Sequence, residues 1–265
     1  MPSLPKSVRA MAAVIEAMIG VARNPRDVLS RFYLMRSVGK IILPEYRYKW
    51  PQMVWWDNER FNDYLETFGE LAHMNTDRRW ILYQFLRIVE AVPGDTAECG
   101  VYHGASSYLI CSFTHQSRNY RRTHFMFDSF EGLSAPSSLD GDHWRAGALA
   151  WELDDVKRRL AKFQNLSWHK GWIPERFVDV EDRDFAFVHI DVDLYQPTLD
   201  SINFFYDRMN SGGVIICDDY GFTSCPGATL AIDEYLSDKA EKMIPLSCGG
   251  GFMIKGCQTA ASFDI

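Results

Sequence analysis

The stretch AECGVYHGAS, residues 97–106, joins an apolar run to a helical pattern through a turn that contains Gly100 and Gly104. From this point short apolar runs alternate with helical stretches, which is typical of a parallel sheet with helices on both faces. The predicted strands are 96–99, 123–128, 166–170, 185–191, 213–218, 243–248 and 251–255, and the predicted helices lie near 105–116, 148–163, 197–210 and 227–239. Gly249 and Gly250 join the last two strands as a hairpin. We therefore expect an α/β fold with a mostly parallel, seven-stranded sheet and an antiparallel edge.

The residues before this pattern are helical and irregular. Apolar spacing predicts helices at 8–22 and 77–92. We expect residues 1–75 to form an N-terminal helical cap, or lid, and residues 76–265 to form the main domain. An aromatic stretch at 46–56 favours packing of the cap on the core or on a second subunit, and the alternative is a wall of a ligand pocket.

Composition excludes several classes of protein. The chain has 265 residues and a formal net charge of −7, whereas a protein that wraps the nucleic-acid backbone is normally basic. The apolar segment 11–22 contains Glu16 and is shorter than the roughly 20 residues that a membrane span needs. No pair of the six cysteines has CxxC spacing, so we expect reduced thiols and a cytoplasmic enzyme.

Four carboxylates follow two of the predicted strands. Asp191 ends the strand at 185–191 and Asp193 follows it, and Asp218 ends the strand at 213–218 and Asp219 follows it. Because ligands of open α/β sheets bind at the carboxyl ends of the strands, these acids are candidate site residues. Like charges this close need a counter-ion, and oxygen ligands favour Mg²⁺, Mn²⁺ or Ca²⁺ over zinc. The alternative is that the acids cap the helices that follow them.

Three other strand ends carry candidate ligand contacts. Glu98 precedes a glycine turn that is neither GxGxxG nor a Walker A loop, and an acid in this place resembles the cofactor loop of S-adenosylmethionine methyltransferases. Asp128 ends the second strand, where a carboxylate usually holds a ribose diol. Lys170, Gly171 and Trp172 follow the third strand, where we expect adenine, although Trp172 could equally belong to the core.

The segment 132–147 is rich in glycine, serine, aspartate and proline. Its length and position between a strand and a helix predict a long loop, and such loops often act as lids. His143 lies in this loop and is a candidate functional residue. The alternative is a solvated or structural histidine.

The segments AECGVYHGASS, FDSFEGL, HIDVDLYQPTLDSI and GGVIICDDYG occur in this order. Together they resemble the macrocin O-methyltransferase family, and the resemblance covers residues from about 75 to 255. It implies the Rossmann-like class I methyltransferase fold, S-adenosyl-L-methionine as the methyl donor, and Mg²⁺. It also implies O-methylation of sugar hydroxyls on natural products, including antibiotics.

The resemblance extends to individual residues of this sequence. It implies that Asp191, Asp218 and Asp219 bind the metal and that Asp193 is the general base, with His143 as the alternative base. The residues expected to contact the cofactor are Glu98, Gly100, Tyr102, Gly104, Ala105, Ser106, Asp128, Ser129, Lys170, Gly171, Trp172 and Asp191.

The expected acceptor is a glycoside or other saccharide with a vicinal diol, because a metal can chelate two neighbouring oxygens. A catechol offers the same geometry, but Leu194 stands where catechol methyltransferases place a lysine, so a sugar is favoured. A dinucleotide-dependent Rossmann-type enzyme and a binding protein without turnover are the remaining alternatives. The family resemblance and the aromatic cap lead us to expect a homodimer or a higher homo-oligomer.

Overall fold

The computed structural model describes residues 6–42, 53, 55–71, 75–119 and 121–260. The chain divides into two compact units, Met1–Tyr64 and Leu65–Ile265. Most of the aromatic stretch at 46–56 lies outside the described residues, so its expected packing stays a prediction. The role of the N-terminal residues as a cap also stays a prediction.

The N-terminal unit is helical. Helix α1, Lys6–Arg23, matches the helix predicted at 8–22, and α2 follows at Val28–Ile42. Asp27 caps the start of α2, because its carboxylate accepts a hydrogen bond from the backbone N–H of Ser30 at 2.9 Å. Helix α3, Glu59–Phe68, starts in this unit and crosses the division. Within the described residues, no helix combines the length and the apolar character that crossing a membrane requires.

The second unit contains the sheet. Its helices are α4 (Thr76–Ile88), α5 (Ala105–Gln116), α6 (Leu153–Leu160), α7 (Tyr195–Tyr206) and α8 (Pro226–Leu236). Its strands are β1 (Asp95–Cys99), β2 (His124–Asp128), β3 (Leu166–Lys170), β4 (Phe185–Ile190), β5 (Met209–Cys217), β6 (Ile244–Pro245) and β7 (Gly251–Ile254). Short 3₁₀ turns lie at Val89–Ala91 and Glu175–Val180. The strand order is β3-β2-β1-β4-β5-β7-β6.

The sheet is parallel from β3 to β5, and β7 pairs antiparallel with both β5 and β6. The expected seven-stranded, mostly parallel sheet with an antiparallel edge is therefore confirmed. Every residue of β4 is buried, as expected for a central strand that is covered on both faces. On β2, Phe125 and Phe127 join one apolar cluster and Met126 joins another, because alternate side chains point to opposite faces.

Candidate active site

A cavity of about 440 Å³ lies at the carboxyl ends of the strands in the second unit. Its wall includes Gly100 after β1, Asp128 at the end of β2 and Asp191 after β4. The strand order reverses between β1 and β4, which is where open α/β sheets bind their ligands. The volume falls within the usual range for small-molecule pockets.

The turn after β1 is shaped by Gly100. Its φ is +85°, and a Cβ at this position would overlap the carbonyl oxygen of Asp191. Only glycine fits, because a side chain would meet both a rare backbone conformation and the neighbouring strand end. The backbone just after β1 therefore lies directly against the backbone just after β4.

The carboxylate of Asp128 holds the same turn from β2. Its Oδ2 accepts the backbone N–H groups of Val101 at 2.7 Å and Tyr102 at 2.9 Å, and its Oδ1 accepts that of Phe130 at 2.6 Å. Burial is the main cause that raises the pKa of Asp128, although these three hydrogen bonds act in the opposite direction. Each carboxylate oxygen can accept more than one hydrogen bond, so Asp128 could still receive one from a ligand in the cavity.

The acids at the ends of β4 and β5 form two groups. One ligand atom each of His189, Asp191 and Asp218 lie within 4.8 Å of one another, and the same holds for Asp193, Asp219 and Cys225. The second group is fully buried. The backbone N–H of Asp193 donates to Asp219 Oδ2 at 2.8 Å, which joins two members of the second group. Asp191 of the first group lines the same cavity as Asp193 and Asp219, so the two groups belong to one site.

Burial and mutual repulsion act together on these acids. Burial is the main cause that raises the pKa of Asp193, and the negative charges of Asp219 and Asp191 raise it further. Burial and the charge of Asp191 likewise raise the pKa of Asp219. A site that makes its own carboxylates hard to ionise is one that a cation would stabilise.

Two arginines of α4 supply positive charge to the same cavity wall. Arg78 forms an ion pair with Asp218, and Arg79 Nη1 lies 3.8 Å from the same carboxylate. Arg79 Nε also donates to Glu70 Oε2 at 2.7 Å in the interior. The sequence analysis gave these residues no role, because only the packing of α4 above the ends of β4 and β5 brings them to the acids.

The chain matches the model of a known protein family. The model of the macrocin-O-methyltransferase (TylF) family matches residues 82–245, which is more than half of the chain. The chain belongs to the macrocin-O-methyltransferase family. The resemblance inferred from the four sequence segments is confirmed.

Individual relatives agree with this membership. Demethyldecarbamoylnovobiocin O-methyltransferase of Streptomyces niveus is 30% identical over 176 residues, which cover 60% of this chain and 65% of the relative. The 8-demethyl-8-(2,3-dimethoxy-alpha-L-rhamnosyl)-tetracenomycin-C 4'-O-methyltransferase of Streptomyces olivaceus is 27% identical over 152 residues, covering 53% of this chain and 58% of the relative. The chain thus spans less than two thirds of the length of these curated relatives.

Solved structures confirm the fold. The O-methyltransferase NovP has a TM-score of 0.56 and 27% identity to this chain, and the match covers 68% of this chain and 80% of NovP. The predicted Rossmann-like class I methyltransferase fold is confirmed by this likeness together with the observed sheet.

The structure places nine of the sixteen predicted site residues at the cavity wall. They are Gly100, Tyr102, Asp128, Ser129, Gly171, Trp172, Asp191, Asp193 and Asp219. Asp218 does not line the cavity itself. It contacts Arg78, which does, and its Oδ1 lies 3.5 Å from His189 Nε2. The predicted convergence of strand ends is therefore visible in the geometry.

Glu98 does not lie at the cavity wall, and its expected contact with the cofactor stays a prediction. Its side chain is fully buried and does not line the cavity. Its Oε2 accepts a hydrogen bond from the hydroxyl of Ser107 and lies 3.6 Å from His124 Nε2. Its Oε1 lies 3.1 Å from His189 Nδ1. Glu98 thus lies beneath the site, where it contacts His189, whose Nε2 faces Asp218. The negative charge of Glu98 also contributes to raising the pKa of Asp128.

The remaining expected residues also lie off the cavity wall. Gly104, with φ +84°, is the N-cap of α5, and Ala105 and Ser106 are buried in its first turn. Lys170 and His143 are both exposed. The ring of His143 contacts Trp144 with a centroid distance of 4.7 Å, and Trp144, not His143, lines the cavity. The structure does not bring this alternative base to the acids.

The site also contains residues that the sequence analysis missed. Trp144 and Cys225 line the cavity, and Trp144 Nε1 donates to Cys225 Sγ at 3.3 Å. Cys225 immediately precedes Pro226, the first residue of α8, so its place after the fifth strand was readable from the sequence. Nothing local marked Trp144, because its loop has no periodic pattern.

The donor chemistry fits the divalent cation that the family resemblance implies. Carboxylate oxygens are the preferred ligands of Mg²⁺, and the wall offers several that repel one another. Arg78 balances only part of this negative charge, since it contacts Asp218. The residues present are therefore compatible with a bound Mg²⁺.

Proposed function

We propose that this protein is an S-adenosylmethionine-dependent and Mg²⁺-dependent O-methyltransferase that acts on a sugar hydroxyl of a glycosylated natural product or other saccharide. The observation that carries the proposal is the convergence of Asp191, Asp193 and Asp219 with the Gly100 turn around one cavity, in a chain of the macrocin-O-methyltransferase family. The relatives' names support the acceptor class, since one of them names a rhamnosyl group.

In this proposal the ends of β1, β2 and β3 hold the methyl donor. The backbone of the Gly100 turn lies open to the cavity, Asp128 offers carboxylate oxygens, and the 43% exposed Trp172 offers a ring face for a base. The donor already carries an activated methyl group, so the protein's main contribution here is to orient it.

The ends of β4 and β5 hold the acceptor. Asp193 is buried and faces the cavity, so its carboxylate would accept the proton of the acceptor hydroxyl. Asp191, Asp218 and Asp219 would hold the Mg²⁺. When bound, the ion supplies Lewis acidity that lowers the pKa of a coordinated hydroxyl.

The test combines binding and turnover. Calorimetric titration with S-adenosylmethionine, S-adenosylhomocysteine and NAD⁺, each with and without Mg²⁺, should show micromolar binding of the first two only. Methyl transfer should then be screened on glycosides with vicinal diols and on catechols, with a chelator as the control. Failure to bind either sulfur cofactor would overturn the proposal, and turnover of catechols alone would overturn the acceptor class.

The variant Asp219→Ala separates the metal site from the donor site, because Asp219 is an expected metal ligand and not an expected cofactor contact. We expect Mg²⁺-dependent turnover to be lost while the affinity for S-adenosylhomocysteine stays nearly intact, since Asp219 lies among the acids at the ends of β4 and β5. Equal loss of turnover and of cofactor affinity would mean that the metal ligands are misassigned. The expected homodimer and cytoplasmic location stay predictions.

A further inference from the structure

The loop between β2 and α6, residues 129–152, forms one side of the cavity. Its wall residues include Leu133, Trp144 and Leu149. The two arms of the loop are joined at their base, where the N–H of Leu133 donates to the carbonyl of Ala148 at 2.8 Å and the N–H of Gly147 donates to the carbonyl of Leu133 at 2.9 Å. The segment between these bonds is therefore a closed loop with a tip at about residues 137–144.

Asp140 lies at this tip and is 2% exposed. Its Oδ2 accepts both the backbone N–H and the hydroxyl of Ser137, each at 2.7 Å. Its Oδ1 accepts the backbone N–H of Tyr195 at 2.6 Å. One carboxylate thus fixes the shape of the loop tip and ties the tip to the first residue of α7.

Helix α7 needs an acceptor at this place. The first N–H groups of a helix have no partner within the helix, and the N-cap residue of α7 is Leu194, whose side chain cannot accept a hydrogen bond. Asp140 supplies the missing acceptor from the loop, and its negative charge is favourable at a helix N-terminus. The bond joins residues 55 positions apart, so it links two parts of the site.

The helix start that Asp140 caps lies two residues after Asp193. Asp193 has φ +61°, a left-handed conformation that is uncommon outside glycine and that aspartate adopts where local hydrogen bonds support it. Neighbouring bonds must therefore hold it, and one is the bond from its own N–H to Asp219. The bond from Tyr195 to Asp140 fixes the chain on the other side.

The loop also reaches the side chain of Asp193. Trp144 Nε1 donates to Cys225 Sγ at 3.3 Å, and Cys225 Sγ lies 3.6 Å from Asp193 Oδ1, to which its thiol donates. The loop thus holds the backbone after Asp193 through Asp140 and approaches its carboxylate through Trp144.

We propose that Asp140 is a positioning residue of the active site, which couples the 129–152 loop to the conformation of Asp193 through the N–H of Tyr195. The cavity wall and the candidate base are then placed together, and loss of the Asp140 carboxylate releases both. The consequence for turnover rests on the proposed function. The coupling itself does not, because it is a property of the protein without any ligand.

The decisive test is hydrogen exchange of the whole protein without ligand. In Asp140→Ala, we expect peptides covering 133–148 and 192–198 to exchange at least about tenfold faster, since a hydrogen bond to a charged group is lost at each. The second peptide contains the Asp193 N–H, which donates to Asp219. Asp142→Ala is the matched control, because it removes an exposed carboxylate from the same loop. Unchanged exchange of Phe185–Ile190 in β4 shows that the fold is intact.

The outcomes separate coupling from simple loosening. Faster exchange in both segments supports the proposal, whereas an increase confined to the loop or confined to α7 would overturn it. Gly227→Ala is an independent second variant, because a Cβ on Gly227 would overlap the Asp140 carboxylate and lie 2.9 Å from the Tyr195 nitrogen. It should reproduce the pattern of Asp140→Ala with Asp140 still present.

Turnover gives the functional readout. We expect Asp140→Ala to lower kcat about tenfold while the affinity for S-adenosylhomocysteine stays within about twofold. Asp140→Asn keeps an oxygen that can accept from Tyr195, so it should restore part of kcat. A wild-type kcat in Asp140→Ala would overturn the positioning role. An inactive wild-type protein would instead refute the proposed function, and hydrogen exchange would still decide the coupling.

Discussion

The variant Glu98→Gln tests whether the acid of β1 supports the core or binds the cofactor. In the structure both carboxylate oxygens are in contact with core side chains, namely Ser107, His124 and His189. Glutamine has nearly the same shape but carries no charge, and one of its two terminal atoms can only donate. The substitution therefore removes a buried charge and mismatches at least one contact.

The expected loss can be bounded from these contacts. A single hydrogen bond to a charged group contributes about 1.5–3 kcal/mol, and glutamine cannot keep all of the contacts with Ser107, His124 and His189. We expect the free energy of unfolding to fall by about 3 kcal/mol. For a unit of this size, about 1 kcal/mol lowers Tm by roughly 2–4 °C, so Tm should fall by roughly 6–12 °C.

Thermal unfolding and cofactor titration together decide the question. Glu131→Gln is the control, because Glu131 is exposed and its neutralisation should change the free energy of unfolding by no more than about 0.5 kcal/mol. The affinity of Glu98→Gln for S-adenosylhomocysteine should stay within about twofold of wild type. An unchanged Tm with affinity weakened about tenfold or more would refute the core role and restore Glu98 as a cofactor ligand.

The difference in stability between wild type and Glu98→Gln should depend on pH. Burial alone would raise the pKa of Glu98, but the hydrogen bonds and charges of His124 and His189 outweigh it and hold that pKa well below the ordinary value of 4.5. A carboxyl whose pKa is depressed in the folded state stabilises the fold above its unfolded pKa, and the stabilisation is lost as pH falls. The stability difference between wild type and Glu98→Gln should therefore be full at pH 7 and shrink below about pH 4.5.

Two further predictions concern the strand ends. Gly100→Ala should lower the free energy of unfolding by more than about 4 kcal/mol, since its Cβ would overlap the Asp191 carbonyl. Gly147→Ala has φ +78° and open space around its Cβ, so it should lower that free energy by only about 1 kcal/mol. Equal losses in denaturant titration would contradict the steric argument. Arg78→Met should lower the stability of the metal-free protein by about 1.5–3 kcal/mol, because Asp218 loses its contact with Arg78 and keeps Arg79 Nη1 only at 3.8 Å. Mg²⁺ should then raise Tm more in this variant than in wild type, and an equal rise would contradict the counter-charge role of Arg78.

The sequence predicted best the elements whose limits are set by local chemistry. The strand at 166–170 and the helix at 105–116 have the predicted bounds. The helix predicted at 148–163 is shorter, at Leu153–Leu160, because Leu149 takes φ +62° and continues the loop. The sequence predicts a helix near 197–210, but α7 ends at Tyr206 and β5 already begins at Met209, where it pairs with Phe185.

Some contacts of the candidate site were predictable from the sequence and others were not. The acids after β4 and β5 were predictable, because parallel strands end at one edge of a sheet and side chains there must meet. The contacts of Arg78, Asp140 and Trp144 were not, since each depends on where a separate helix or loop packs. The core contacts of Glu98 were not predictable either, because its sequence position next to the glycine turn does not tell which way its side chain points.

Asp193 shows why these long-range contacts matter for chemistry. Local preference opposes its backbone conformation, and burial opposes the charge on its carboxylate. A residue that breaks two local rules persists only where its surroundings compensate, and such residues concentrate at functional sites. The compensation here comes from Asp219 on β5, from Cys225 before α8, and from Asp140 on the loop. Because three separate segments must be in place before Asp193 is held, the site can be complete only when the loop is seated on α7.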